Sequence, residues 1–329
     1  MSPSSRNLLF VCGTPRSGTT AMHALLAGDD RIALGMERYG SYLGADFNEG
    51  LFTKERFFDF DTDPRDANRK NAAYLETAKR NFDSATYIGD KIPLLYLAHS
   101  RVSAVFPDAK YVVILRNIVD ICNSYKTRKE NPNDNWTMDI DEAITHWNQL
   151  LDFLTAEKGD PQIHVVMYED FFSDISGYKK LYEFLGFEFD ASCEARYFDL
   201  LEKTRRLEDR RTLLLNDAQK LMIFKTANMG LYQTLLGRDV VVASAKSPAA
   251  RPAPKGGDAT LDRQDVMAAA RIFLGEQELT DETIEALVGA TGEEALNYFM
   301  KSQAFQDNDF NARLVVGMAK EIRTRVKTV

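Results

Sequence analysis

Two short segments carry residues suited to holding anions. Gly13-Thr14-Pro15-Arg16-Ser17-Gly18-Thr19-Thr20 follows the apolar run NLLFVC at 7–12 and precedes Met22, Leu25 and Leu26 on one helical face. A strand, a glycine turn and a helix in that order aim successive backbone N–H groups into one concavity at a positive helix N-terminus. Ser17, Thr19 and Thr20 add hydroxyl donors, and Arg16 adds a cation. Further on, Arg116 follows the apolar run KYVVIL at 110–115, and Ser124 comes eight residues after it. With a helix beginning near Val119, Ser124 lies just over one turn inside. A guanidinium there forks onto a phosphate and the serine donates a further hydrogen bond. Asp120 is placed to orient Arg116 or to cap the helix.

Each segment alone has a plain alternative: an ordinary strand-to-helix connection, or a salt-bridged arginine beside a helical serine. The pair is more informative. Two anion sites on two parallel strands suit a nucleotide with phosphates at both ends of its sugar. The first segment has the glycine spacing of the nucleotide phosphate loop GxxxxGK[ST], but Thr19 stands where that motif needs lysine. That lysine reaches the β- and γ-phosphates. Its absence argues against the first rival, a P-loop kinase of a small molecule. A non-catalytic nucleotide-binding scaffold is the second rival.

The elements that must position these residues follow from the same sequence. Residues 7–12, 110–115 and 163–167 (IHVVM) are short apolar runs of the kind buried in parallel sheets. Helical patterns at Thr20–Ala27, Ile140–Leu154 and Tyr178–Leu185 alternate with them, the last ending at Gly186. The expected fold is α/β: a P-loop-containing parallel sheet flanked by helices, with a C-terminal helical segment. Residues 45–85, with Phe52, Phe57, Phe58 and Phe60, read as an excursion from the core that covers a pocket. Residues 126–137 read as a polar loop that helps to shape it. The composition of 244–257, with three prolines, two glycines and no acidic residue, is that of a linker. The domains are therefore expected at 1–243, 244–257 and 258–329. The last segment, acidic through Asp309 and basic beyond it, reads as a packing or association element, with a homo-oligomer as the partner.

Composition narrows the class. The 329 residues are 44% hydrophobic and 27% charged, which suits a globular chain with an ample core. A net charge of −8 argues against non-specific nucleic-acid binding, which needs a positive field. Cys12, Cys122 and Cys193 are far apart and form no metal-type pair, as expected of a reducing compartment. No apolar stretch is long enough for a membrane span, and the apolar run near the N-terminus is too short for a signal peptide. A cytoplasmic protein is expected.

With these motifs in order, the chain resembles the sulfotransferases that use 3′-phosphoadenosine 5′-phosphosulfate (PAPS). The string PRSGTT looks like that of the bacterial and tyrosylprotein branches. Cytosolic members usually carry lysine at the position of Arg16. The stretch VVMYEDFFSDISGYKKLYEFLGFEFD resembles the family's later strand and helix, and the likeness spans roughly residues 6–235. The resemblance implies that the first loop, Arg16 to Thr20, holds the 5′-phosphosulfate and that Arg116 and Ser124 hold the 3′-phosphate. It puts Tyr168 near the nucleotide. Glu37, nineteen residues after Gly18 in LGMERYG, matches the family's general base; its alternative is a surface glutamate paired with Arg38. Lys91 in YIGDKIP matches the lysine that meets the leaving and bridging oxygens, its alternative being a solvated lysine paired with Asp90. Arg16 shares that charge-stabilising role. His99 is a weaker candidate base. In FKTANMGLYQ (224–233), Lys225, Asn228 and the Gly230 backbone are candidates to close over the nucleotide, although the family's Arg-Lys-Gly string is absent. The basic stretch 203–211 reads as a solvated helix face. The implied reaction is sulfuryl transfer from PAPS to a hydroxyl or amine of a small-molecule acceptor, with 3′-phosphoadenosine 5′-phosphate (PAP) as product and no metal.

Overall fold

Five short segments form five parallel strands: β1 (Asn7–Gly13), β2 (Ile32–Met36), β3 (Tyr87–Lys91), β4 (Lys110–Leu115) and β5 (Ile163–Met167), in the order β2-β3-β1-β4-β5. The computed structural model of the chain describes residues 7–44, 46–61, 63, 65, 72–209, 214–236 and 281–288. Its helices are α1 (Thr19–Ala27), α2 (Lys54–Phe57), α3 (Ala72–Asn81), α4 (His99–Val105), α5 (Ile118–Lys129), α6 (Ile140–Ala156), α7 (Tyr168–Phe171), α8 (Ser176–Leu185), α9 (Ala191–Asp209), α10 (Asp217–Thr226), α11 (Met229–Leu235) and α12 (Asp281–Leu287). The α/β class and the parallel sheet flanked by helices are as the sequence indicates.

The chain divides into two units, Met1–Leu236 and Gly237–Val329. The expected boundary at 243/244, the linker and most of the C-terminal segment lie outside the described residues. Within the second unit, α12 buries Ile284 and Leu287.

The strand order matters for function. From β1 the chain first builds outward to β2 and β3 on one side, then crosses to β4 and β5 on the other. The connections after β1 and β4 therefore leave in opposite directions, and a crevice opens at their carboxyl ends, where ligands bind in open α/β sheets. The loop at 13–18 and Arg116 flank that crevice.

Both faces of the sheet are covered. Leu9 and Val11 pack under Leu25 and Leu26 of α1, Tyr182 of α8 and Tyr197 of α9. Phe10 points the other way, into rings of Phe47, Phe52, Phe106 and Tyr111 at 5.7–6.3 Å. Here the structure differs from the pocket-cover expectation for 45–85. Phe52 is core, Phe57 and Phe58 pack on Phe82, and Phe60 lies over the Arg38 guanidinium at 3.9 Å. Large apolar rings beside an apolar sheet face bury there because that removes most water-exposed area.

Candidate active site

Each strand delivers one piece of the site at its carboxyl end. After β1, the loop takes Gly13, Arg16 and Gly18 through positive φ (148°, 71° and 104°). A Cβ on Gly18 would lie 2.6 Å from the Tyr168 ring, so glycine is required there on two counts. α1 begins with no side-chain cap, which leaves its first N–H groups for an incoming acceptor. The Ser17 hydroxyl is buried and has no hydrogen-bond partner among the described residues. Thr19 is buried, whereas Thr20 is exposed.

After β4, Asn117 caps α5 by accepting from the Val119 N–H at 2.8 Å, so the cap is not Asp120. Asp120 instead stands 3.6 Å from the Arg116 guanidinium, the orienting role open to it from the sequence. That guanidinium lies 3.9 Å from the centroid of Tyr168, the first residue after β5. Tyr168 thus touches the phosphate loop on one edge and Arg116 on its face. Its neighbour Glu169, unremarked from the sequence, is half-buried and accepts the Asn117 N–H at 2.9 Å. Burial raises its pKa. The signal for it was the YED string itself, read for its tyrosine alone.

Arg16 and Ser124 meet directly. The Arg16 Nε donates to Ser124 Oγ at 3.0 Å. The loop and the α5 anchor, expected as separate anion sites, are joined by one hydrogen bond. Desolvation, followed by the charges of Arg128 and Arg116, pushes the Arg16 pKa down. A guanidinium held down by neighbouring positive charge is relieved by a bound anion.

On the other side of the loop, after β2 and β3, Glu37 and Lys91 form an ion pair. The Lys91 side chain is 2% exposed and that of Glu37 41%. Both alternatives from the sequence fail geometrically. Lys91 is buried and turned to Glu37 rather than Asp90. Arg38 is buried and donates to the carbonyls of Phe57 and Arg56, each at 3.2 Å.

The remaining candidates lie elsewhere. His99 is core, packed between Tyr111 and Phe153 at 4.7 and 5.0 Å. Lys225 is exposed on α10, and Asn228 is spent capping α11, accepting from the Leu231 N–H at 3.2 Å. Lys203 and Arg206 pair with Asp199 and Glu202 on a solvated face of α9. Among the described residues, no three His, Cys, Asp or Glu side chains gather as a metal site, and no helix is long and apolar enough to cross a membrane.

Two buried titratable groups flank the Glu37–Lys91 pair. Burial, reinforced by the Lys91 charge, pushes the His23 imidazole down to about 4. Burial pushes the Asp90 carboxyl up to about 7. Between pH 4 and 6.5, unfolding takes up a proton at His23, whose stabilising contribution is lost on acidification. Between pH 3.8 and 7, unfolding releases a proton at Asp90, so its contribution falls as pH rises. The slopes oppose in the intact protein. Asp90→Asn is therefore expected to lose stability more steeply than the parent from about pH 6.5 to about pH 4.5, by up to about 1.4 kcal/mol per pH unit. His23→Gln should lose it less steeply. Urea unfolding at stepped pH reads both differences, and parallel curves for parent and variants would refute them.

A sulfotransferase family model matches residues 9–191. Among solved structures, the chain is similar to a sulfotransferase from Alicyclobacillus acidocaldarius at 17% identity, over 71% of this chain and 97% of that one, with a TM-score of 0.44. Sulfotransferase STF9 from Mycobacterium avium is 17% identical over 71% and 76% of the two chains, at 0.41. Mouse sulfotransferase SULT7A1, complexed with PAP, is 13% identical over 71% and 86%, at 0.43. No curated protein matches.

Proposed function

Because the chain belongs to the sulfotransferase family, we propose that it moves a sulfuryl group from PAPS to a hydroxyl or amine of a small-molecule acceptor, with Glu37 as general base. The observation that carries this reading is the convergence of the five carboxyl ends. The Glu37–Lys91 pair lies on one side of the phosphate loop and the Arg16–Ser124 bond with Arg116 on the other.

The residues present fit an adenosine 3′,5′-bisphosphate. The buried Ser17 hydroxyl and the uncapped start of α1 suit its 5′ end. Arg116 and Ser124 suit its 3′-phosphate, and Arg16, which donates to Ser124 from the loop, is placed to share the charge that develops at the 5′ end. PAPS supplies an activated sulfur whose bond to phosphate oxygen breaks as the acceptor's oxygen or nitrogen bonds to sulfur. The protein's own work is positioning, proton removal and charge stabilisation. Glu37 accepts the acceptor's proton at its exposed carboxylate. The Lys91 ammonium shifts from Glu37 toward the oxygen on which negative charge develops, and the loop N–H groups share that charge. Tyr168 keeps Arg116 and the loop in register. No step calls for a metal.

Titration with PAP, using ADP and ATP as controls, tests the donor. Selective binding of PAP supports the reading, whereas preference for ATP or no binding at all would sink it. Arg116→Ala is expected to raise the PAP Kd about tenfold or more, the size of a lost charge-assisted hydrogen bond. Unchanged affinity would remove Arg116 from the 3′-phosphate. Turnover is read as PAPS converted to PAP with the best acceptor from a panel of phenols, alcohols and amines.

A further inference from the structure

Glu37 sits in an unusual backbone conformation. Its φ is 55°, in the left-handed region that non-glycine residues seldom enter. Something must hold it there. The Glu37 N–H donates to the Lys91 carbonyl at 2.8 Å. The next two N–H groups, of Arg38 and Tyr39, face the Asp90 carboxylate, that of Tyr39 at 2.8 Å. Asp90 is fully buried, as are Tyr39 and nearly all of Arg38, so no water stands ready to replace it. Gly35, its register partner on β2, makes room: a Cβ there would lie 2.9 Å from Asp90 Oδ1. Adjacent residues of a strand point to opposite faces. Lys91 therefore grips the Glu37 carboxylate from one side of the sheet while Asp90 grips the backbone of the same turn from the other.

We propose that Asp90 is a positioning residue that holds the 37–39 turn in its left-handed conformation and so keeps the Glu37 carboxylate at the reacting centre. The inference rests on Glu37 as the base. Without the Asp90 acceptor, the buried Tyr39 N–H loses its partner, the turn relaxes to negative φ, and Glu37 swings off Lys91. Asn at position 90 keeps one acceptor and the shape.

The test pairs a crystal structure with a mutant cycle. Asp90→Ala is expected to show residue 37 out of the positive-φ region, to keep PAP affinity within about twofold, and to turn over about 10–100 times more slowly. Asp90→Asn should restore most of that turnover. In the Glu37→Gln background, Asp90→Ala should cost less than about a further twofold, because the group it positions is already gone. A positive φ retained at residue 37 in Asp90→Ala would overturn the proposal. So would a full additional loss in the Glu37→Gln background. Should Asp90→Ala fail to fold, Gly35→Ala, which crowds Asp90, carries the same two readouts. Parent-like turnover of Glu37→Gln alone would remove the base assignment, and the crystallographic φ then still judges whether Asp90 holds the turn.

Discussion

Glu37→Gln is expected to bind PAP with the parent's Kd and to turn over about 10² times more slowly or worse. Gln keeps the volume and one acceptor oxygen but cannot take a proton. The side chain is 41% exposed and stands on the Lys91 side of the loop, away from the Arg116–Ser124 anchor, so nucleotide affinity has no reason to change. Loss of affinity and turnover in equal measure would show that residue 37 supports binding rather than proton transfer. Parent-like turnover would show that the acceptor needs no base at this position.

The second large effect is at Lys91. Lys91→Met should cost about 10²–10³ in turnover, the usual loss when one preorganised group facing developing negative charge is removed. It should cost little or nothing in stability. A buried ammonium pays a desolvation penalty that its partner only partly returns, and apolar isosteres of buried charges are often neutral or stabilising. Here the partner carboxylate is part exposed, so water can solvate Glu37 once the ammonium is gone. Activity is thus expected to fall while stability holds, as at sites kept for function rather than for folding. His23 supplies an independent check. The Lys91 charge is one cause of its depressed pKa, so its imidazole should titrate above about 4 in Lys91→Met, readable by NMR. An unchanged His23 pKa would mean that Lys91 does not act on that ring. A marked fall in stability would mean that the Glu37–Lys91 pair serves chiefly to hold the sheet edge together.

The opposed slopes of His23 and Asp90 show how a site of this kind tolerates buried ionisable groups. Each resists its charged form, so the imidazole stays neutral well below its usual range and the carboxyl stays part protonated near neutrality.

Much of this was readable from the sequence, for a local reason. Strands β1 and β4 are largely apolar runs, and buried parallel strands have little other way to look; β5, at the sheet edge, is apolar apart from His164. The loop at 13–20 declares itself because glycine spacing between a strand and a helix is a backbone requirement met by neighbours in sequence. Arg116 and Ser124 likewise belong to one local segment, eight residues apart across the end of β4 and the first two turns of α5. The family match over residues 9–191 agrees with these motifs.

What the sequence does not encode locally is who meets whom. Arg16 and Ser124 are 108 residues apart, and Lys91 and Glu37 are 54 apart. Their pairing depends on the strand order, which puts β3 between β2 and β1 and sets Met36 opposite Lys91. Asp90 looked from the sequence like a surface partner for Lys91. Only the pleat, which sends neighbours on β3 to opposite faces, makes one the grip on a side chain and the other the grip on a backbone. The phenylalanines of 45–60 looked like a pocket cover because a sequence does not say which sheet face a chain excursion will pack against. Local backbone demands are written in residue types, whereas contacts across the sheet are decided by topology and burial, once the chain has chosen which strands lie side by side.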